Sequence, residues 1–142
     1  MANYPEFQVA PMREEMVKAG FTQLMDPEQV DRAIGQPGTT LLVVNSVCGC
    51  AAAGARPGVI QALRGKGLRF DHLVTVFAGM ETEATQQARH HFEGAAPSSP
   101  QVAIFRDGRL VHLMGRTAFL ERSPEAIAEE LAAAAETAGI LA

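Results

Sequence analysis

Thr39-Thr-Leu-Leu-Val-Val44 is the stretch that most restricts how this chain folds. Its β-branched and apolar residues follow one another without alternating with polar ones, the pattern of a strand covered on both faces. Such a strand, read over Thr39 to Val47, needs a helical layer on each side of its sheet. It runs straight into Asn45-Ser-Val-Cys-Gly-Cys-Ala-Ala-Ala-Gly-Ala-Arg-Pro57, which holds the only two cysteines of the chain. Both thiols therefore lie where a strand ends and a helix begins. Backbone N–H groups and the helix dipole stabilise an anion there, so a cysteine at that point ionises readily to the reactive thiolate.

The remaining elements follow from periodicity and punctuation. Residues 12–19 carry Met12, Met16 and Val17 at helical spacing and stop at Gly20. Asp26-Pro27 opens a second helix, with Asp26 as cap and Pro27 at the first position, and Gly35 closes it. Ala51 to Leu63 reads as helix, with Pro57-Gly58 expected to kink or divide it. His72 to Ala78 is a second strand, and Thr82 to Phe92 a polar helix with Thr82 as cap. Gln101 to Arg106 and Arg109 to Met114 flank Asp107-Gly108, a strong hairpin signal. Ser123-Pro124 opens a last helix reaching about Ala138.

The resulting order, α-α-β-α-β-α-β-β-α, predicts one α/β domain over residues 1–142. Its central mixed β-sheet carries helices on both faces, and its parallel pairs are joined by right-handed crossovers. This is the thioredoxin-like layout. It sets the cysteines at the carboxyl end of a central strand, where open α/β sheets place their ligands.

Four segments taken together resemble the bacilliredoxin family, small bacterial thioredoxin-like proteins with Cys-Gly-Cys in place of Cys-x-x-Cys. They are Asn45-Ser-Val-Cys-Gly-Cys-Ala-Ala52, Ala55-Arg-Pro57, Ser98-Ser-Pro100 and Phe105-Arg-Asp-Gly-Arg-Leu-Val-His112. The similarity covers nearly the whole chain, including Tyr4-Pro5 and Met12-Arg-Glu-Glu15. The resemblance implies a thiol-disulfide oxidoreductase that removes a low-molecular-weight thiol, bacillithiol in organisms that make it, from protein mixed disulfides. It matches Cys48 to the attacking cysteine and Cys50 to the resolving one. It also implies a cis Ser99–Pro100 bond facing the active cysteine, with the backbone nearby pairing with a bound disulfide. Gly49 joins Ser99 and Pro100 as a substrate-binding position.

Other residues bear on the chemistry. Arg56 and Arg116 have two readings each, as bidentate ligands for the carboxylates of a thiol co-substrate or as solvated surface side chains. Asn45 and Ser46 either hydrogen-bond near the thiols or are ordinary strand-end residues. A bond across the single residue between Cys48 and Cys50 closes a smaller ring than one across two and is harder to form without strain. That predicts a couple more oxidising than thioredoxin's roughly −270 mV, nearer about −180 mV. Leu41 to Val44 offers no acidic residue and the chain has no tryptophan, both of which argue against an ordinary thioredoxin.

Three rival functions stay open at this point. The first is a weak protein disulfide isomerase. The second is a non-catalytic sensor in which a reversible Cys48–Cys50 bond changes shape. The third is a zinc site built from the cysteines and two of His72, His90, His91 and His112. Spacing gives the zinc site no support, since His90 and His91 face different ways on a helix while His72 and His112 belong to strands.

A chain of 142 residues, 47% of them hydrophobic, buries a proper core and needs no structural disulfide, which frees its cysteines for chemistry. A formal net charge of −4 with no Lys/Arg run excludes nucleic acid and anionic membranes as expected partners. The first seven residues lack a leader's basic start, and no apolar run approaches the roughly 20 residues of a membrane span. The reading is a cytoplasmic protein, in a reducing compartment where paired cysteines are catalytic or metal-binding. Its expected partners are S-thiolated proteins and a disulfide reductase or thiol pool for recycling. No cofactor is held tightly, and bacillithiol or glutathione enters as co-substrate.

Overall fold

The computed structural model describes residues 4–140; Met1 to Asn3, part of the stretch read for a leader, and residues 141–142 lie outside it. The chain runs α1 (Glu6–Lys18), β1 (Thr22–Gln23), α2 (Pro27–Ile34), β2 (Thr39–Asn45), a π-helical turn (Ala51–Ala55), α3 (Arg56–Gly65) and β3 (His72–Phe77). It continues through α4 (Thr82–His90), β4 (Gln101–Arg106), β5 (Arg109–Met114), a 3-10 turn (Arg116–Ala118) and α5 (Pro124–Thr137). The strands form one sheet in the order β1-β3-β2-β4-β5. β1, β3 and β2 are mutually parallel, while β2–β4 and β4–β5 are antiparallel.

The pleat of β2 explains the two-sided core. Leu41 and Val43 point to one face, where they meet Val59 and Ala62 of α3 and Ile127 and Leu131 of α5. Leu42 and Val44 point to the other, against Val30 and Ile34 of α2 and Ala84 and Ala88 of α4. All four β2 side chains have no exposed surface, and each such burial stabilises the fold by about 1.5–3 kcal/mol. The mixed sheet with helices on both faces is thus the arrangement that the uninterrupted apolar run requires.

Capping residues behave as expected at two helices. Asp26 Oδ1 accepts from the Gln29 N–H at 2.8 Å, and Ser123 Oγ from the Ala126 N–H at 3.1 Å. Asp107 and Gly108 both adopt positive φ, 51° and 83°, the conformation of a type I′ hairpin turn.

Four local readings need correction. Helix α1 starts at Glu6 rather than Met12, continues through Pro11, and buries Val9, Arg13 and Met16; Val17 is exposed. The buried face is rotated from the one that Met12, Met16 and Val17 define, because Arg13 finds buried partners in Glu81 and Gln23. Glu81, not Thr82, is the residue before α4, and it makes no side-chain cap. β2 ends at Asn45, short of Val47, because the chain turns away to present the cysteines. β1 went unseen because two residues carry no periodicity.

Candidate active site

The segment between β2 and α3 is helical from the cysteines onward. The Cys48 carbonyl accepts from the N–H groups of Ala51 and Ala52, both at 3.1 Å, so Cys48 stands at the helix entrance. The helix is divided, as Pro57 predicted, but by widening rather than by breaking. The Arg56 N–H bonds to the Ala51 carbonyl five residues back, opening a π turn just ahead of the proline. Pro57 has no N–H, and its ring crowds the carbonyl of Ala53; a wider turn relieves both problems. Gly54 and Gly58 then allow α5 to approach closely: a Cβ on Gly58 would lie 2.6 Å from Ile127 Cγ2.

Sheet register completes the site. Val44 opposes Gln101, so the Ser98–Pro100 segment arrives beside the end of β2. The Ser99–Pro100 peptide bond is cis. The Cys48 thiol donates to the Ser99 carbonyl oxygen at 3.8 Å, a contact between the cysteine loop and the loop that precedes β4. Arg116, exposed at the end of β5, is fixed by its N–H donating to Ser98 Oγ at 3.2 Å.

Cys48 and Cys50 are both free and partly exposed. Cys50 packs against the core shared by α3 and α5. Gly49 between them is exposed, with open space around the position a Cβ would take. Burial pushes the Cys48 thiol pKa up, but opposing contacts outweigh it and hold the group below its ordinary value. These are the Ser46 hydroxyl, the N–H groups of Ala51 and Cys50, and the charge of Arg116. The Ser46 hydroxyl donates to Cys48 Sγ at 3.1 Å, and the Cys48 N–H donates to Ser46 Oγ at 3.4 Å. The donors directed at the sulfur favour the thiolate over the thiol.

Beneath the loop lies a polar cluster. Asn45, Ser46 and Arg56 are 1%, 5% and 3% exposed. Asn45 Oδ1 accepts from the Ser46 N–H at 2.9 Å, and its Nδ2 donates to the Met12 carbonyl at 3.2 Å. Arg56 Nη1 donates to Asn45 Oδ1 at 2.8 Å and to the Ser46 carbonyl at 2.7 Å, while its Nε pairs with Glu15 Oε1 at 2.9 Å. Arg13 makes a second buried cluster, donating to both carboxylate oxygens of Glu81 and, at 2.9 Å, to Gln23 Oε1.

The site residues named from sequence therefore divide. Cys48, Gly49, Ser99, Pro100 and Arg116 come together at the end of β2, and Cys50 follows at the first helical turn. Arg56 is corrected: it is neither a solvated side chain nor open to a co-substrate's carboxylates. A guanidinium removed from water needs partners for its donors, and Asn45, Ser46 and Glu15 serve Nη1 and Nε. Sequence reasoning missed Glu15 and the Arg13–Glu81 pair. The available signal was Arg13 at helical spacing between Val9 and Met16. Among the described residues, no three His, Cys, Asp or Glu gather where they could hold a metal ion. No helix among them is long and apolar enough to cross a membrane.

Comparison with known proteins agrees with this architecture. A family model described as disulphide isomerase matches residues 4–138. A bacilliredoxin of Cytophaga hutchinsonii is 49% identical over 128 residues, covering 90% of this chain and 94% of that protein. One from Geobacillus kaustophilus is 47% identical over 125 residues, covering 88% and 86%. Among solved structures, a protein with a thioredoxin fold superposes with TM-score 0.66 at 15% identity, covering 82% of this chain and 95% of that one. Oxidized mitochondrial thioredoxin 3 of Saccharomyces cerevisiae superposes with TM-score 0.54 at 14% identity, covering 82% and 94%.

Proposed function

This chain belongs to the bacilliredoxin family of thiol-disulfide oxidoreductases, and we propose that it strips low-molecular-weight thiols from S-thiolated proteins through Cys48. The observation that carries this reading is the Cys48 sulfur at a helix entrance, 3.1 Å from a donating Ser46 hydroxyl. That environment favours the nucleophilic form of the sulfur.

The Cys48 thiolate attacks the small-thiol sulfur of a mixed disulfide. A Cys48–small-thiol bond forms, the original S–S bond breaks, and its electron pair leaves on the protein sulfur, which takes a proton. Cys50 then attacks Cys48, forming the intramolecular disulfide and expelling the small thiol. Two electrons from a disulfide reductase or thiol pool restore the dithiol. In a monothiol variant of the cycle, a second small thiol attacks the sulfur of the captured one, forming the small-molecule disulfide and releasing Cys48 as thiolate. Ser99 and Pro100 line the approach to Cys48, and Arg116 offers its guanidinium to a carboxylate of the departing thiol.

Mass spectrometry of wild type, Cys48→Ser and Cys50→Ser after incubation with bacillithiolated and glutathionylated proteins tests the scheme. The Cys50→Ser variant is expected to retain one small thiol on Cys48, and Cys48→Ser to retain none and release none. Release that survives in Cys48→Ser would refute the assignment. The description of the matching family model favours a second reading, disulfide isomerisation, in which the same sulfur attacks a protein disulfide and reshuffles it. Reactivation of a scrambled protein without small-thiol capture would select that reading.

A further inference from the structure

We propose that Arg56 is a positioning residue for thiol exchange, setting the acidity of Cys48 through Asn45 and Ser46 without touching the sulfur. The proposal rests on Cys48 being the attacking thiol and adds how its environment is held.

A serine hydroxyl stabilises a thiolate only while its proton points at the sulfur, so something must fix the backbone that carries it. Ser46 lies just past the last β2 residue, where ladder hydrogen bonds no longer hold the chain. In their place, a single guanidinium nitrogen, Arg56 Nη1, grips the Ser46 carbonyl at 2.7 Å and Asn45 Oδ1 at 2.8 Å. The same Asn45 oxygen receives the Ser46 N–H at 2.9 Å. Both backbone polar groups of Ser46 are thereby tied, directly or through one atom, to one buried cation. The side chain left between them donates to Cys48 Sγ.

The π turn is part of the device. Arg56 is the residue whose N–H closes that wide turn, so the same backbone distortion that accommodates Pro57 sets where the Arg56 side chain begins. Glu15 of α1 fixes a second guanidinium nitrogen, Nε, at 2.9 Å. The charged groups around the thiol are thus Arg116 from the turn after β5, Arg56 from α3, and Glu15 from α1 behind Arg56. Arg116 acts as an exposed charge, whereas Arg56 acts through fixed hydrogen bonds.

The test reads the Cys48 pKa directly, from thiolate absorbance near 240 nm and from alkylation rate against pH. It is made in the Cys50→Ser background, where Cys48 is the only thiol. Ser46→Ala is expected to raise the pKa, lowering the thiolate fraction at neutral pH by about tenfold, the size expected for one lost charge-assisted hydrogen bond. Arg56→Gln and Arg56→Lys are expected to do the same, with Lys intermediate because it keeps the charge and loses the fork. Combining Ser46→Ala with Arg56→Gln should add little beyond either alone.

Thermal melts accompany each variant, since a merely structural role for Arg56 would lower Tm and leave the thiol pKa in place. That outcome, or full additivity with Ser46→Ala, overturns the proposal. Asn45→Ala, which keeps Arg56 and cuts its link to the Ser46 N–H, gives the reading if the Arg56 variants do not fold; an unchanged pKa there is equally fatal. An ordinary pKa in the otherwise unaltered chain would instead refute the role of Cys48 itself, so the two failures are distinguishable.

Discussion

At the scale of single residues, the site depends on how two arginines are used. Arg56 is 3% exposed and its charge is met by neutral oxygens and one half-exposed carboxylate; Arg116 is exposed and acts on Cys48 through its charge. An exposed charge is screened by salt, whereas a hydrogen bond in the interior is not. Alkylation of Cys48 near neutral pH is therefore expected to slow modestly between low salt and about 1 M salt, and Arg116→Ala should remove most of that dependence. Equal salt sensitivity in the two proteins would refute this assignment. The depressed Cys48 pKa also contributes stability above the pKa of an unfolded thiol, and that contribution is lost as pH falls through the folded value.

At the scale of elements, the close approach of α3 and α5 is what keeps the cysteine-bearing helix against the sheet. Gly58 makes it possible, since an added methyl would lie 2.6 Å from Ile127 Cγ2 and 2.8 Å from its Cβ, atoms too near the backbone to swing aside. Alanine gains about 1 kcal/mol of helix propensity over glycine, while overpacking costs about 1–3 kcal/mol. The second effect wins, so Gly58→Ala is expected to lower the denaturant midpoint. The diagnostic is a double-mutant cycle in which Ile127→Ala costs less in the Gly58→Ala background than in wild type. Additive costs would mean that the helices are not in conflict there.

At the scale of the whole molecule, the two helical layers are bound to the sheet mainly by burial, and a few exposed carboxylates tie elements together. Asp31 on α2 accepts from His91 and Gln87 at the end of α4, contacts that hold its pKa below the ordinary carboxylate value. Asp71 accepts from the N–H and hydroxyl of Thr39 at the start of β2 and is depressed likewise. Depressed carboxylates contribute stability that is fully present above their unfolded pKa and is lost as pH falls through the folded one. Urea midpoints measured from about pH 6 down to pH 3 should therefore fall, and Asp31→Asn and Asp71→Asn should each flatten the decline. An unaltered slope would show that these contacts carry none of it.

The fold class was legible in the residues because it rests on local patterns. An apolar run without alternation demands two covering layers, Asp-Gly demands a hairpin, and Asp26-Pro27 and Ser123-Pro124 open helices by chemistry within four residues. The position of the cysteines at a strand-to-helix junction is equally local. The fates of Arg56, Arg13 and Glu81 were not legible, since a charged side chain is buried only when distant segments supply its partners. Those partners come from α1, the end of β2 and the loop before α4, brought together only when the sheet forms. Sequence alone determined which atoms can do thiol chemistry here; tertiary structure decided which charges surround them, because burial and hydrogen bonding are properties of assembled surfaces rather than of neighbours in the chain.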